Sequence, residues 1–247
     1  MLKYILCDRI TDGGSMILQK NTSLSYNQIE DNLESMTNEE KELVKEYLKI
    51  EKCYRYALRE MSARLENLDD NCSLHFAHNP IHHIESRVKT PASIIEKMRR
   101  RQYPFTIEVL QEKVYDIAGM RVICNYINDI YQIITLMKQQ KDLKIRLSKD
   151  YILHPKNTGY RSLHIVFEMQ IYVDNKQVMV PIEIQFRTIA MDMWASLEHE
   201  LRYKSKKNEF SEEDKDKLKL YSDELYQIDK NMQRMYISKI IEEEDND

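Results

Sequence analysis

Between Thr37 and about position 68 the apolar residues recur at helical spacing, with Leu43, Tyr47, Ile50, Tyr54, Ala57, Leu58, Met61 and Leu65 on one stripe. Thr37 followed three positions later by Glu40 is the pattern of a capping box, so the spacing predicts a long amphipathic helix with a defined start. The next segment, HFAHNPIHHIESRVK, has no helical period. Its Asn-Pro step predicts an extended piece, and Pro91 suits the first turn of a new helix that runs through Ser93, Lys97 and Arg100.

The pattern then changes to short β-prone runs at residues 120–124 and 143–147, followed by SLHIVFEMQIYV and QVMVPIEIQF, which Asp174-Asn175 joins as a hairpin turn. Between the first two, residues 129–140 carry Ile130, Ile133, Ile134 and Met137 on one face and predict a crossover helix. From Thr188 the chain turns helical again, ending in a charged helical segment at 211–241 and the acidic tail EEEDND. These elements predict an α+β fold, a mixed sheet flanked by helices with additional helices at both ends. Residues 1–36 are expected to be loosely ordered in part, 37–205 to form the main domain with its leading helix, and 206–247 to be a helical extension with the tail.

Composition supports that outline. A chain of 247 residues that is 42% hydrophobic can bury one good core. Only 4 Gly and 5 Pro argue against a many-turned sandwich, whereas 32% charged residues suit solvated helices. The balance of 37 basic against 41 acidic side chains gives net −4, so any anion site must be local rather than a property of the whole surface. The 4 cysteines form no CxxC pair, and no apolar run approaches the roughly 18–20 residues of a membrane helix. A cytoplasmic protein without a membrane span is expected.

Four places could carry chemistry. Segment 86–101 holds six basic residues (Arg87, Lys89, Lys97, Arg99, Arg100, Arg101) against the single acid Glu96, with Ser93 and Lys97 on one face near a helix N-terminus, where phosphate is favoured. YDIAGMRV sets Asp116 just ahead of a strand bearing Gly119 and Arg121. In PIEIQFRT, Glu183, Gln185 and Arg187 alternate with apolar residues, so one strand face is polar, and two carboxylates from adjacent strands could cradle Mg²⁺ on a triphosphate. KDYILHPKNTGYRSLH supplies Lys149, Lys156, Arg161 and His164 beside the ring of Tyr160, which suits phosphates next to a purine. Each alone has an ordinary reading as a solvated basic face, a turn or a packed side chain. His75, His78, His82 and His83 match no metal-ligand spacing, and Trp194 reads as core.

Taken in order, SRVKTPASIIEK, DIAGMRV, KDYILHPKNTGYRSLH, EIQFRT and WASLEHELRYK resemble the synthetase domain of the RelA/SpoT family, and the short chain resembles its small alarmone synthetases. The resemblance implies a nucleotidyltransferase-like sheet and transfer of pyrophosphate from ATP to the 3′-hydroxyl of GDP or GTP. It places the adenine of ATP between Arg87 and Arg121, its phosphates on Lys89, Ser93 and Lys97, and Gln185 on the ATP side. Asp116 and Glu183 would hold Mg²⁺, with Glu183 also as general base. Tyr160 would stack on guanine, with Lys149, Lys156 and His164 on the acceptor's phosphates. Position 192 is Asp where the family commonly has Asn, and Asp192 is expected to read the guanine edge. A homotetramer is also implied; a regulatory nucleotide and an RNA stay open as further partners, and no hydrolase motif accompanies the synthetase pattern. The competing readings are an enzyme with an adenosine acceptor and a catalytically idle RNA-binding module.

Overall fold

Six strands form a mixed sheet in the order β1-β2-β3-β6-β5-β4. The structure, a computed structural model, describes residues 16–19, 36–75, 78–204 and 211–244; the expectation of a loosely ordered N-terminal segment falls largely outside them. The strands are β1 (Met16–Gln19), β2 (Ile81–Val88), β3 (Ala118–Cys124), β4 (Leu143–Asp150), β5 (Leu163–Val173) and β6 (Lys176–Thr188). The helices are α1 (Asn38–His75), α2 (Pro91–Arg101), α3 (Ile107–Lys113), α4 (Ile127–Lys138), α5 (Ile189–Lys204) and α6 (Glu212–Glu244).

The capping box at Thr37 forms as the sequence predicts: the Thr37 amide donates to Glu40 Oε2 at 2.9 Å and the Glu40 amide donates to Thr37 Oγ1 at 3.3 Å. Its stripe, from Leu43 to Leu65, is buried in the main core. The helix runs past position 68 to His75 because the stripe continues through Asp69 and Cys72. Asp69 is buried, and its carboxylate accepts from Asn79 Nδ2 at 2.9 Å and the Ile81 amide at 2.8 Å, tying the helix end to the start of β2. A polar residue in the stripe conceals this last turn from a hydrophobicity reading.

Strand β2 takes the place of the extended piece expected at this point, and it makes the sheet larger than the four predicted runs. A bulge between Ile81 and His83 explains why the alternation was illegible: Ile81 and Ile84 lie three apart, yet both are buried. The edge strand β1 and the seven-residue α3, with Leu110 as its one buried residue, were likewise not predicted. The β5–β6 hairpin turns at Asp174 and Asn175, both left-handed with φ of 49° and 60°, as a two-residue turn of this hand requires.

Along β3 and β6, Ala118, Met120 and Val122 pair with Ile182, Ile184 and Phe186 and enter the core with α1 and α4. The intervening residues face the other way. One row across that face reads Arg87, Gly119, Glu183, Val166, and the next reads Glu85, Arg121, Gln185, His164, Lys149. The register therefore collects side chains from five strands on one surface.

Glu40 also accepts from Arg99 Nε and from an Arg99 terminal nitrogen, both at 2.6 Å, joining the starts of the long helix and the last turn of α2. Glu40→Ala is expected to lower stability by about 2 kcal/mol, read from the urea unfolding midpoint, since it removes a cap and a two-pronged ion pair.

Candidate active site

Helix α2 starts at Thr90, whose Oγ1 accepts from the Ser93 amide at 3.3 Å and whose hydroxyl donates to Ser93 Oγ at 2.9 Å, with Pro91 in the first turn. The buried Tyr47 of α1 donates its hydroxyl to the Lys89 carbonyl at 3.0 Å and so fixes the backbone just before this helix. Lys89 and Lys97 then converge on one carboxylate: Lys97 Nζ lies 2.7 Å from Asp116 Oδ1 and Lys89 Nζ 3.1 Å from Oδ2. Burial pushes the Asp116 carboxyl up, but the Lys97 hydrogen bond and both ammonium charges outweigh it and hold the group below its ordinary 3.8.

A cleft of about 290 Å³ opens beside this cluster, lined by Arg87, Lys89, Ser93 and Asp116 on one side and Arg121, Glu183 and Gln185 on the other. Every residue expected on the ATP side lines it except Lys97, which reaches it through Asp116. Arg87 and Arg121 are diagonal neighbours on adjacent strands, which suits two guanidinium planes on either side of a flat group. Arg121 donates to Glu85 Oε2 at 3.2 Å, and Glu85 is a cleft residue that the sequence reading did not single out.

The other expected group assembles on the far side of Glu183. His164 Nδ1 lies 3.6 Å from Glu183 Oε1, too long for a direct hydrogen bond but close enough for charge to act. Burial raises the Glu183 carboxyl and Asp116 adds to that, while His164 and Lys97 lower it further, leaving it below its ordinary 4.5. The Tyr160 hydroxyl lies 2.8 Å from His164 Nε2 and accepts from an Arg187 terminal nitrogen at 2.8 Å. Lys156 Nζ sits over the rings of Tyr160 and Tyr151, at 4.5 and 4.7 Å from their centroids. Burial, reinforced by Lys149, holds Lys156 below its ordinary value. Lys149 stands opposite His164 in the β4–β5 register.

Asp192 of α5 is bound to Arg187 at 2.8 Å through Oδ1, which orients its carboxylate and leaves the second oxygen outside that pair. Arg187 is buried and also donates to Gln185 Oε1 at 2.9 Å, linking the two clusters. The sequence held the signal for it, since Arg187 shares the parity of Glu183 and Gln185; Tyr151 was missed although it shares the parity of Lys149. Arg161 departs from the expectation of a basic, phosphate-facing loop residue: its side chain is only 10% exposed, is paired with Asp223 and is not part of the cleft lining. Of the histidines, His78 Nε2 lies 3.1 Å from both Asp129 oxygens, and His82 and His83 meet through their Nδ1 atoms at 2.8 Å, while the His75 side chain lies outside the described residues. Among the described residues no three metal-capable side chains converge, and no helix is long and apolar enough to cross a membrane.

A mixed sheet whose polar face sets two carboxylates between two sets of cations and rings, beside a helix N-terminus, defines a nucleotide-dependent transferase. The region found in RelA/SpoT proteins matches residues 86–208. GTP pyrophosphokinase YwaC of Bacillus subtilis is 41% identical over 179 residues, 72% of this chain and 85% of that one, and GTP pyrophosphokinase YjbM of the same organism is 39% identical over 154 residues, 61% and 70% of the two chains. The crystal structure of small alarmone synthetase 1 from B. subtilis bound to its product pppGpp superposes with a TM-score of 0.71 at 31% identity, covering 78% of this chain and 98% of that one. Small alarmone synthetase 2 from the same organism gives 0.70 at 38% identity with the same coverage. The chain belongs to the RelA/SpoT family.

Because the Asp116 carboxyl is held below its ordinary value, the stability it contributes is present at neutral pH and is lost as the pH falls through its folded-state pKa, below 3.8. In the metal-free protein, Lys97→Met should move the Asp116 titration upward, followed by carbon NMR of the labelled carboxyl; an unmoved titration would show that the lysines do not set its charge.

Proposed function

We infer that this chain is a GTP pyrophosphokinase: it transfers the β,γ-pyrophosphate of ATP to the 3′-hydroxyl of GDP or GTP and releases AMP. The observation that carries the reading is the position of Glu183, on a central strand between the Arg87–Arg121 cleft and the Tyr160–His164 cluster, where a reacting oxygen from one nucleotide can meet a phosphorus of the other.

In this reading the adenine lies between Arg87 and Arg121 with Gln185 beside it, and Ser93, Lys89, Lys97 and the α2 N-terminus take the phosphates. Asp116 and Glu183 offer two ionised carboxylates on one face, a donor set that suits Mg²⁺ completed by phosphate oxygens and water. When bound, Mg²⁺ would neutralise the charge that builds on the phosphates. An incoming triphosphate competes with Asp116 for Lys89 and Lys97, which exchanges a pairing inside the protein for one with substrate. The guanosine nucleotide stacks its base on Tyr160, sets its phosphates against Lys149, Lys156 and His164, and presents its base edge to Asp192.

The 3′-oxygen attacks the β-phosphorus as Glu183 accepts its proton, and the bond from that phosphorus to the α,β-bridging oxygen breaks, so that AMP leaves with the electron pair. The depressed pKa keeps Glu183 ionised at neutral pH. With little covalent work to share, alignment and charge compensation carry the rate. The expected homo-oligomer is supported by an exposed apolar stripe on α5 (Ile189, Met193, Leu197, Leu201) and by Ile228, Met232 and Met235 on α6.

Purified protein with ATP, GDP or GTP, and Mg²⁺ should yield AMP and a 3′-pyrophosphorylated guanosine nucleotide on ion-exchange chromatography, with kcat lowered about 10²- to 10⁴-fold in Glu183→Gln. Transfer to an adenosine acceptor instead, or salt-sensitive RNA binding with no transfer, would replace this reading. Asp192→Ala should reduce the preference for guanosine over inosine acceptors, which differ by the exocyclic amine. Leu197→Glu should lower the mass measured by light scattering; an unchanged mass would remove α5 from the interface.

A further inference from the structure

The loop between β4 and β5, residues 151–162, carries Lys156 and Tyr160. The sheet holds its end, where the Tyr160 hydroxyl meets His164 and Arg187 and Ser162 donates to the Phe186 carbonyl at 3.0 Å. A second fastening comes from the C-terminal helix. Ser222 of α6, itself buried, donates its hydroxyl to the Gly159 carbonyl. Arg161 donates to Asp223 Oδ1 at 2.8 Å and, with its other terminal nitrogen, to the Ile152 carbonyl at 2.9 Å, and its guanidinium lies 4.1 Å from the Tyr226 ring centroid. One side chain thus clamps the two ends of the loop together and both to α6. Gly159 has φ of 91°, and a Cβ there would come within 3.0 Å of Lys219 Cα and Ser222 Cβ, so the close approach of α6 demands the glycine in addition to the turn.

The helix has its own anchors. Asp229 accepts from Thr188 Oγ1 at 2.6 Å, Gln233 accepts from the Asn128 amide at 2.8 Å, and the Leu218 carbonyl accepts from Trp194 Nε1 at 2.9 Å. These contacts tie α6 to the end of β6 and to α4 and α5, all continuous with the sheet that carries Glu183. A bar fixed at those points can set the height of the middle of the loop relative to Glu183, adding to the contacts that the sheet makes at Tyr160 and Ser162.

We propose that α6 is a positioning element of the acceptor site: Ser222 and Asp223, acting on Gly159 and Arg161, hold the 151–162 loop so that Tyr160 and Lys156 stand ready for the guanosine nucleotide. The proposal rests on the assignment of Tyr160 and Lys156 to that nucleotide. Arg161 thereby acts as a clamp, and Asp223, half exposed and outside the cleft lining, can be altered with little disturbance to the core.

The test uses the full chain, with Asp223→Ala, Ser222→Ala, the double variant and Asp223→Glu, each checked for native helicity by circular dichroism. Initial rates are measured while ATP and GDP are varied in turn. The expected result is a rise of about tenfold in the GDP KM for each single variant, with the ATP KM and the kcat at saturating GDP within about twofold, and recovery of most of the loss in Asp223→Glu. Parallel loss on both substrates, or an unchanged GDP KM in folded variants of an active enzyme, would overturn the positioning role. Should the double variant fail to fold, the half-exposed Asp223→Ala alone decides the matter. A wild-type protein that neither turns over nor binds GDP would instead overturn the functional reading on which the proposal stands.

Discussion

A carboxylate in the middle of a central strand is tolerated only where cations and donors offset its burial, and Glu183 is in that position. The arrangement of the rest follows from it. The parallel register of β3 and β6 sets Glu183 against Gly119, where the absence of a side chain leaves room for the cleft, and brings Arg121 beside Gln185 one step further on. Lysines from either side of the β2–α2 junction face Asp116 on one flank, and His164 approaches from β5 on the other. Two acids, both held below their ordinary pKa and with Lys97 acting on each, thus share one face without having to share a proton.

The opposite face supplies the rigidity this needs. Helix α1 lays a stripe from Leu43 to Leu65 on the core side of the sheet, α4 adds Ile130, Ile133, Ile134 and Met137, and Tyr47 reaches from that core to the Lys89 carbonyl. Close-packed interiors resist displacement, so the core tyrosine holds the Lys89 backbone where its ammonium can reach Asp116. Around Tyr160 the same function falls to polar contacts: Arg187 joins Gln185, Tyr160 and Asp192, and α6 borders the loop through Ser222 and Asp223.

How much of this the sequence reveals depends on whether the local pattern and the tertiary role coincide. The capping box at Thr37, the helix start at Pro91 and the Asp174-Asn175 turn are local devices, and each could be read directly. The alternation in PIEIQFRT exposes the polar face of β6 for the same reason. Strand β2 was hidden by a bulge that changes its parity, and the end of α1 by Asp69, whose partners lie on another element. Arg161 sits among the basic residues of the 151–162 loop and resembles them, yet its carboxylate partner comes from a helix about sixty residues later in the chain. Roles set by distant contacts leave no spacing to detect.

In the proposed reaction the face around Glu183 brings one nucleotide's 3′-oxygen to the β-phosphorus of another. ATP labelled at its β-phosphorus tests this most directly, with GDP as acceptor and the products separated after a single turnover. Attack at the β-phosphorus predicts that the label appears in the guanosine product and that the AMP carries none. Label retained in ADP would mean that only the γ-phosphoryl group moves, and that the β-phosphorus is not the site of attack.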